Sequence, residues 1–213
     1  MDYKRFPLGP LSTNTYLVWQ GDSGFVTDPA GDGAGIQEFA EKEGITVKKI
    51  LITHGHMDHV GGIPDAAARF GAPLYIHRDD APMLENPDQD TALWMGYDFG
   101  GTEDFTRLKD GDVLEVGSMS VQVISTPGHT RGSVCFLVRS EKGSLLVSGD
   151  TLFARSVGRT DLPGGDPLAL DRSLVRLASL PDGLAVLPGH GPETTIGAEK
   201  AHNPFWPEDR RGG

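Results

Sequence analysis

Residues 51–62, LITHGHMDHVGG, place His54, His56, Asp58 and His59 within six positions, directly after an apolar run. The chain has only seven histidines in 213 residues, so this crowding asks for a chemical reason. Imidazole and carboxylate together suit zinc, iron or manganese, and no thiolate stands in the segment. On a continuous helix His54 and His56 would point roughly 200° apart and could not share an ion. The four residues therefore belong on a loop at a strand end, loosened by Gly55 and leading into a helix near Asp58 and His59. Such a loop lets two side chains converge on each of two centres.

Three further segments repeat the pattern of a polar group following an apolar strand. VISTPGHT presents His129, LLVSGDT presents Asp150 and AVLPGHG presents His190, each beside a glycine that permits close backbone approach. Taken singly, a histidine or aspartate at a strand end is ordinary. Taken together, five histidines and two aspartates supply a two-metal site with one bridging carboxylate. A pair of divalent cations lowers the pKa of bound water from ~15.7 to about 7 and polarises a substrate carbonyl. No Ser-His-Asp arrangement is required, and no G-x-S-x-G segment is present.

The elements that must position these groups read as short β-branched or aromatic runs between turn residues. Strands are expected at 15–19, 24–27, 49–52, 74–76, 113–116, 120–125, 133–138, 144–148 and 185–187. Helices are expected at 33–44, with Ile36, Phe39 and Ala40 on one face, and at 63–71, opened by Pro64. A third follows Asp166 as N-cap and Pro167 at the first helical position, with Leu170, Leu174 and Leu177 on a stripe. Residues 77–110 are the least regular and read as a helix and a long connection over the core. The two halves rhyme loosely, which suggests a duplicated two-sheet α/β architecture in one domain spanning 1–213. The tail AHNPFWPEDRRGG reads as too proline-rich for a helix, with Phe205 and Trp206 pinning it and Arg210–Gly213 loose.

Composition narrows the partners. The formal net charge is −11 and no basic block appears, whereas a phosphate-backbone binder needs a positive footprint. No apolar run approaches the ~20 residues of a membrane span, and the N-terminus MDYKRFPLGP lacks a signal-peptide core, so a cytoplasmic protein is expected. The one cysteine, Cys135, excludes an internal disulfide framework and reads as core.

The segments T-H-x-H-x-D-H, P-G-H-T, G-D and P-G-H-G, in this order, resemble the metallo-β-lactamase superfamily. Within it, STNTYLV, TDPAG, GHTRGSVCF, GDTLF, GRTDLPGGD and GHGPETTIGAEKAHNPF are similar to small bacterial hydroxyacylglutathione hydrolases of the glyoxalase II type. The resemblance implies a four-layer αββα sandwich with two divalent metals, zinc foremost and iron or manganese next. It assigns one metal to His54, His56 and His129, the other to Asp58, His59 and His190, and makes Asp150 the bridge. It implies a small-molecule thioester substrate, S-lactoylglutathione above all, cleaved to lactate and glutathione. Asp58 is the candidate proton carrier, and a thiolate departs more easily than an amide nitrogen, which needs a proton first.

Larger glyoxalase II enzymes hold glutathione with an additional C-terminal helical domain, whereas only a short segment follows His190 here. Arg131, Arg155 and Arg159 are the candidate contacts to a substrate carboxylate, although Arg159 could equally bond to Asp161 within its own loop. Asp28 in TDPAG either braces a ligand histidine, as the resemblance suggests, or caps a turn. His77 and His202 match no metal role. Trp94, Tyr97 and Phe99 either wall the pocket or pack the core. Persulfide dioxygenases share the histidine motif and a GRTD segment, with one iron on the equivalents of His54, His129 and Asp150. Another binuclear hydrolase, such as a lactonase or β-lactamase, is the second alternative.

Overall fold

Each half of the chain builds one six-stranded sheet. The computed structural model describes residues 1–207. The first half runs β1 (Asp2–Leu8), β2 (Thr13–Gln20), β3 (Ser23–Thr27), α1 (Ala34–Glu43), β4 (Thr46–Leu51), α2 (Met57–Val60), α3 (Ile63–Phe70), β5 (Leu74–His77), α4 (Ala81–Glu85), α5 (Gln89–Met95) and β6 (Thr106–Leu108). The second continues with β7 (Val113–Val116), β8 (Met119–Ser125), β9 (Val134–Ser140), β10 (Gly143–Gly149), β11 (Leu152–Phe153), β12 (Ser156–Val157), α6 (Pro167–Leu177), β13 (Ala185–Pro188), β14 (Thr194–Thr195) and α7 (Ile196–His202).

The first sheet keeps chain order, β1 to β6. Its first three strands are antiparallel, and β3 to β6 are parallel, linked by helical crossovers. The second has the order β14-β13-β10-β9-β8-β7, with β13 parallel to β10 and the other pairs antiparallel. Tyr16, Val18, Phe25 and Leu51 from one sheet meet Met119, Val121, Phe136, Val147 and Leu187 from the other in a shared core. On the outer faces, Ile36 and Ala40 of α1 pack on Leu17 and Val26, and Ile63 and Ala66 of α3 pack on Ile50 and Ile76. Leu170, Leu174 and Leu177 of α6 cover Cys135, Leu137 and Leu146. The result is the αββα sandwich. β3 is buried along its whole length, on both faces.

The helix signals behave as their chemistry dictates. Asp166 accepts from the Ala169 N–H at the start of α6, and α1 stops at Gly44 in the left-handed region, φ 68°. Several elements depart from expectation. β1 was not foreseen, because DYKRFPL is an exposed edge strand with no apolar alternation; its Pro7 is tolerable there. Residues 77–110 hold two helices and β6 rather than one helix and a connection. The tail is not free of helix, since Ala201 and His202 close α7, whose Thr195 N-cap accepts from Ala198 N. Trp206 is fully buried, whereas Phe205 is exposed. The expectation for Arg210–Gly213 lies outside the described residues. Cys135 is buried in β9. Among the described residues, no helix is long and apolar enough to cross a membrane.

Candidate metal centre

The loops after β4, β8, β10 and β13 leave the sheets at the same end of the sandwich, and there His54, His56, Asp58, His59, His129, Asp150 and His190 come together. Three triads have donor atoms within 4.8 Å of one another: His54–His56–His129, His54–His59–Asp150 and Asp58–His59–His190. Asp150 lies between the outer groups. Its Oδ1 is 3.3 Å from His59 Nε2, and its Oδ2 is 3.6 Å from both His129 Nε2 and His190 Nε2. His56 Nδ1 stands 2.8 Å from His129 Nε2, and His190 Nε2 is 3.1 Å from Asp58 Oδ2.

The remaining ring nitrogens are tied down in a way that fixes which nitrogen faces the centre. His129 donates from Nδ1 to the Arg159 carbonyl, 2.7 Å away, which leaves Nε2 as the inward lone pair. Asp28 accepts from Thr53 N (2.7 Å), from the Thr53 hydroxyl (2.7 Å) and from His59 Nδ1 (3.0 Å). Because the Thr53 hydroxyl donates to Asp28, its oxygen accepts from His54 Nδ1 at 3.1 Å. His54 and His59 therefore both turn Nε2 inward. Asp28 holds this position with a left-handed backbone, φ 44°, uncommon for a residue other than glycine. It thus touches both His59 and the Thr53 turn.

The donor set fits a divalent cation pair on observations of the site itself. His54 Nε2 and Asp150 Oδ1 are buried and make no hydrogen bond among the described residues, a costly condition for polar atoms. A side chain at position 189 would run into Asp150 Oδ1 and come within 2.7 Å of His59 Cε1, so Gly189 keeps this space clear. Burial and the neighbouring imidazoles of His129 and His59 pull the His56 pKa down to about 4; burial and the same crowding by His59, His129 and His56 hold His54 well below its ordinary value. Neutral imidazole is the ligating form. At His59, burial opposes protonation, but the Asp150 and Asp58 carboxylates outweigh it and raise the pKa. At Asp58, burial raises the pKa but is outweighed by His59 and His190, so the carboxyl stays ionised.

The other candidates separate. The Arg131 and Arg155 side chains are exposed and form no ion pair among the described residues. Arg159 is engaged by Asp161 through Nε (2.7 Å) and Nη2 (2.8 Å), the self-bonded loop weighed as its alternative. His77 is buried against Ser125 Oγ, and His202 is exposed on α7. Phe99 is core, Trp94 is exposed and walls nothing buried, and Tyr97 packs over Gly61 while donating to the Ala30 carbonyl at 2.6 Å.

Several supporting residues escaped the sequence reading. Thr13 donates to Asp58 Oδ2 at 3.0 Å. Phe153 sets its ring against His190, with centroids 6.1 Å apart. Buried Glu199 accepts from Arg155 N and Asn203 Nδ2, both at 2.8 Å, holding the turn that follows Phe153. Asp80 ends a strand-plus-acid segment, LYIHRDD, of the same kind that disclosed Asp150.

A family model for the metallo-beta-lactamase superfamily matches residues 8–190. The chain is 33% identical to a probable metallo-hydrolase, YqgX, of Bacillus subtilis, covering 96% of this chain and 97% of that protein. It is 30% identical to the hydroxyacylglutathione hydrolase GloC of Haemophilus influenzae, covering 96% and 98% respectively. Among solved structures it is similar to the BLEG-1 B3 metallo-beta-lactamase, with TM-score 0.87 and 36% identity over 96% of this chain and 99% of that one. It is also similar to TTHA1623 in a di-iron-bound form, with TM-score 0.83 and 38% identity over 95% and 99%.

Proposed function

The chain belongs to the metallo-beta-lactamase superfamily, and from that premise we infer that it is a binuclear metallo-hydrolase of thioesters, with S-lactoylglutathione the leading substrate. The observation that carries the reading is the convergence of five histidines and two aspartates around the unbonded His54 Nε2 and Asp150 Oδ1. His54, His56 and His129 would hold one cation, Asp58, His59 and His190 the other, and Asp150 would span both. Bound there, such a pair supplies an ionised water and polarises the substrate carbonyl.

Asp58 would serve as a metal ligand, a role that competes with carrying a proton to an amide nitrogen. A thiol of pKa about 8.5 departs as thiolate without one. The end-to-end similarity to GloC supports the same choice, and supports a glutathione thiol. Arg131 and Arg155, exposed and without an ion pair among the described residues, are the groups we assign to a substrate carboxylate; Arg159 is spent on Asp161. The likeness to BLEG-1 favours a second reading, β-lactam hydrolysis.

The test is a panel of S-lactoylglutathione, an acyl-homoserine lactone, a cephalosporin and glutathione persulfide, presented to zinc-loaded and iron-loaded protein. The thioester is expected to give the highest kcat/KM. Turnover of the persulfide alone, on iron and with oxygen uptake, would overturn the hydrolase reading.

A further inference from the structure

Asp80 is buried at the start of α4 and makes no contact with any of the seven converging side chains, yet it joins two of the loops that carry them. Its Oδ2 accepts from Gly55 N at 3.0 Å, in the loop between His54 and His56. The same oxygen accepts from the Thr130 hydroxyl at 2.6 Å, and Oδ1 accepts from Gly132 N at 2.7 Å, both in the loop just after His129. Ser133 completes the arrangement, with its Oγ 2.6 Å from the Thr130 hydroxyl and accepting from Thr130 N at 3.1 Å. Three donors from two loops thus meet one buried carboxylate. Hydrogen bonds to an ionised acceptor are about twice as strong as neutral ones. Close packing reinforces the joint: a Cβ at position 55 would stand 2.6 Å from Met83 Cβ, and one at position 132 would stand 2.5 Å from Asp80 N.

The loops tied by Asp80 are those of His54, His56 and His129, one half of the centre. The other half has supports that Asp80 does not touch: Thr13 on Asp58, Phe153 on His190, and Asp28 on His59, the last also reaching His54 through Thr53. We propose that Asp80 is a positioning residue that sets the separation of the His54–His56 loop from the His129 loop, and so governs metal affinity at that half of the centre alone. The proposal rests on the metal-centre reading but not on the identity of the substrate.

Chelator-stripped protein is titrated with zinc by calorimetry, while the imidazole nitrogens are followed by NMR. The unsubstituted protein is expected to take two equivalents. In Asp80→Asn, one equivalent keeps its affinity and the other weakens about 10–100-fold, the range for loss of a ligand's supporting contact. The His54, His56 and His129 resonances move in the weakened step, and those of His59 and His190 in the unaffected one. If Asp80→Asn fails to fold, Thr130→Val, which removes one donor to Asp80, must show the same one-sided weakening in smaller degree. Equal weakening of both equivalents, or of neither, overturns the proposal while the metal centre stands. No zinc uptake by the unsubstituted protein would instead sink the metal centre, and the proposal with it.

Discussion

Asp28 Oδ2 lies 3.0 Å from His59 Nδ1, and through the Thr53 hydroxyl the same oxygen is linked to His54. One carboxylate thereby sets the tautomer of a histidine in each half of the centre, by two N–H groups passed outward and two lone pairs turned inward. Asn fits the left-handed backbone of position 28 almost as well as Asp, so Asp28→Asn alters the acceptor without altering the strain. Its amide must present a donor to at least one group that already donates. Metal affinity is expected to fall about 10–100-fold, read by calorimetric titration. An unchanged affinity would mean that Asp28 serves only the Thr53 turn.

His56 is the one member of the histidine triad 54–56–129 that is only partly buried, and its Nδ1 faces His129 Nε2 across 2.8 Å. His56→Ala removes a donor without opening a cavity in the core. If His56 is a metal ligand, turnover should fall by at least ~100-fold, because removal of a ligand's support alone costs about 10–100-fold. Bound metal, measured by elemental analysis, should fall with it. His202→Ala, on the exposed end of α7, should change neither. Comparable activity in the two variants would contradict the ligand assignment.

Arg131 and Arg159 stand two and thirty residues from His129, and differ in what holds them. Arg159 is bidentate to Asp161, and that pair depresses the Asp161 carboxyl to about 2. Arg131 is unpaired. If Arg131 binds a substrate carboxylate remote from the scissile bond, Arg131→Ala raises KM with kcat nearly unchanged, the signature of lost uniform binding. A charged contact of about 1.5–3 kcal/mol corresponds to a KM rise of roughly 10–100-fold. Arg159→Ala should leave KM within about threefold, since surface ion pairs contribute little. Steady-state kinetics on a thioester distinguishes the two; a larger KM effect at Arg159 reverses their roles.

The parts of this protein legible in its sequence are those where chemistry and periodicity act locally. His54, His56, His129, Asp150 and His190 each stand beside a glycine shortly after an apolar strand, and Asp58 and His59 share the segment of the first two, so strand recognition and residue type disclosed them together. Helix α6 was legible from Asp166 and Pro167 because caps are local signals. Asp80 offered the same strand-plus-acid signal as Asp150, but its role as a tie between loops was not legible, since that comes from Gly55 and Gly132, 25 and 52 residues away, through backbone N–H groups that carry no residue identity. Strand β1 was hidden because its pairing with β2, from Asp2 opposite Trp19 to Leu8 opposite Thr13, buries little of β1 itself. The pairing of Arg159 with Asp161 is two residues long in sequence, and so could be weighed beforehand.

His77 provides a pH dependence independent of the centre. It is buried at the end of β5, its Nδ1 accepts from Asp79 N at 3.3 Å, and its Nε2 is 3.2 Å from Ser125 Oγ, an arrangement that requires the neutral ring. Burial lowers its pKa below the ordinary 6.5, against the opposing pull of Asp79 and Asp80. The unfolded chain therefore binds a proton at pH values where the folded one does not, and stability falls with pH in that window. The contribution of neutral His77 is complete above 6.5 and is lost as pH drops through the folded value. His77→Gln lacks the titration, so its Tm should decline less steeply than that of the unsubstituted protein between pH 7 and 5. Chelator is kept in both samples, which makes the other histidines a common background. Parallel Tm curves over that range would remove His77 from the acid sensitivity of the fold.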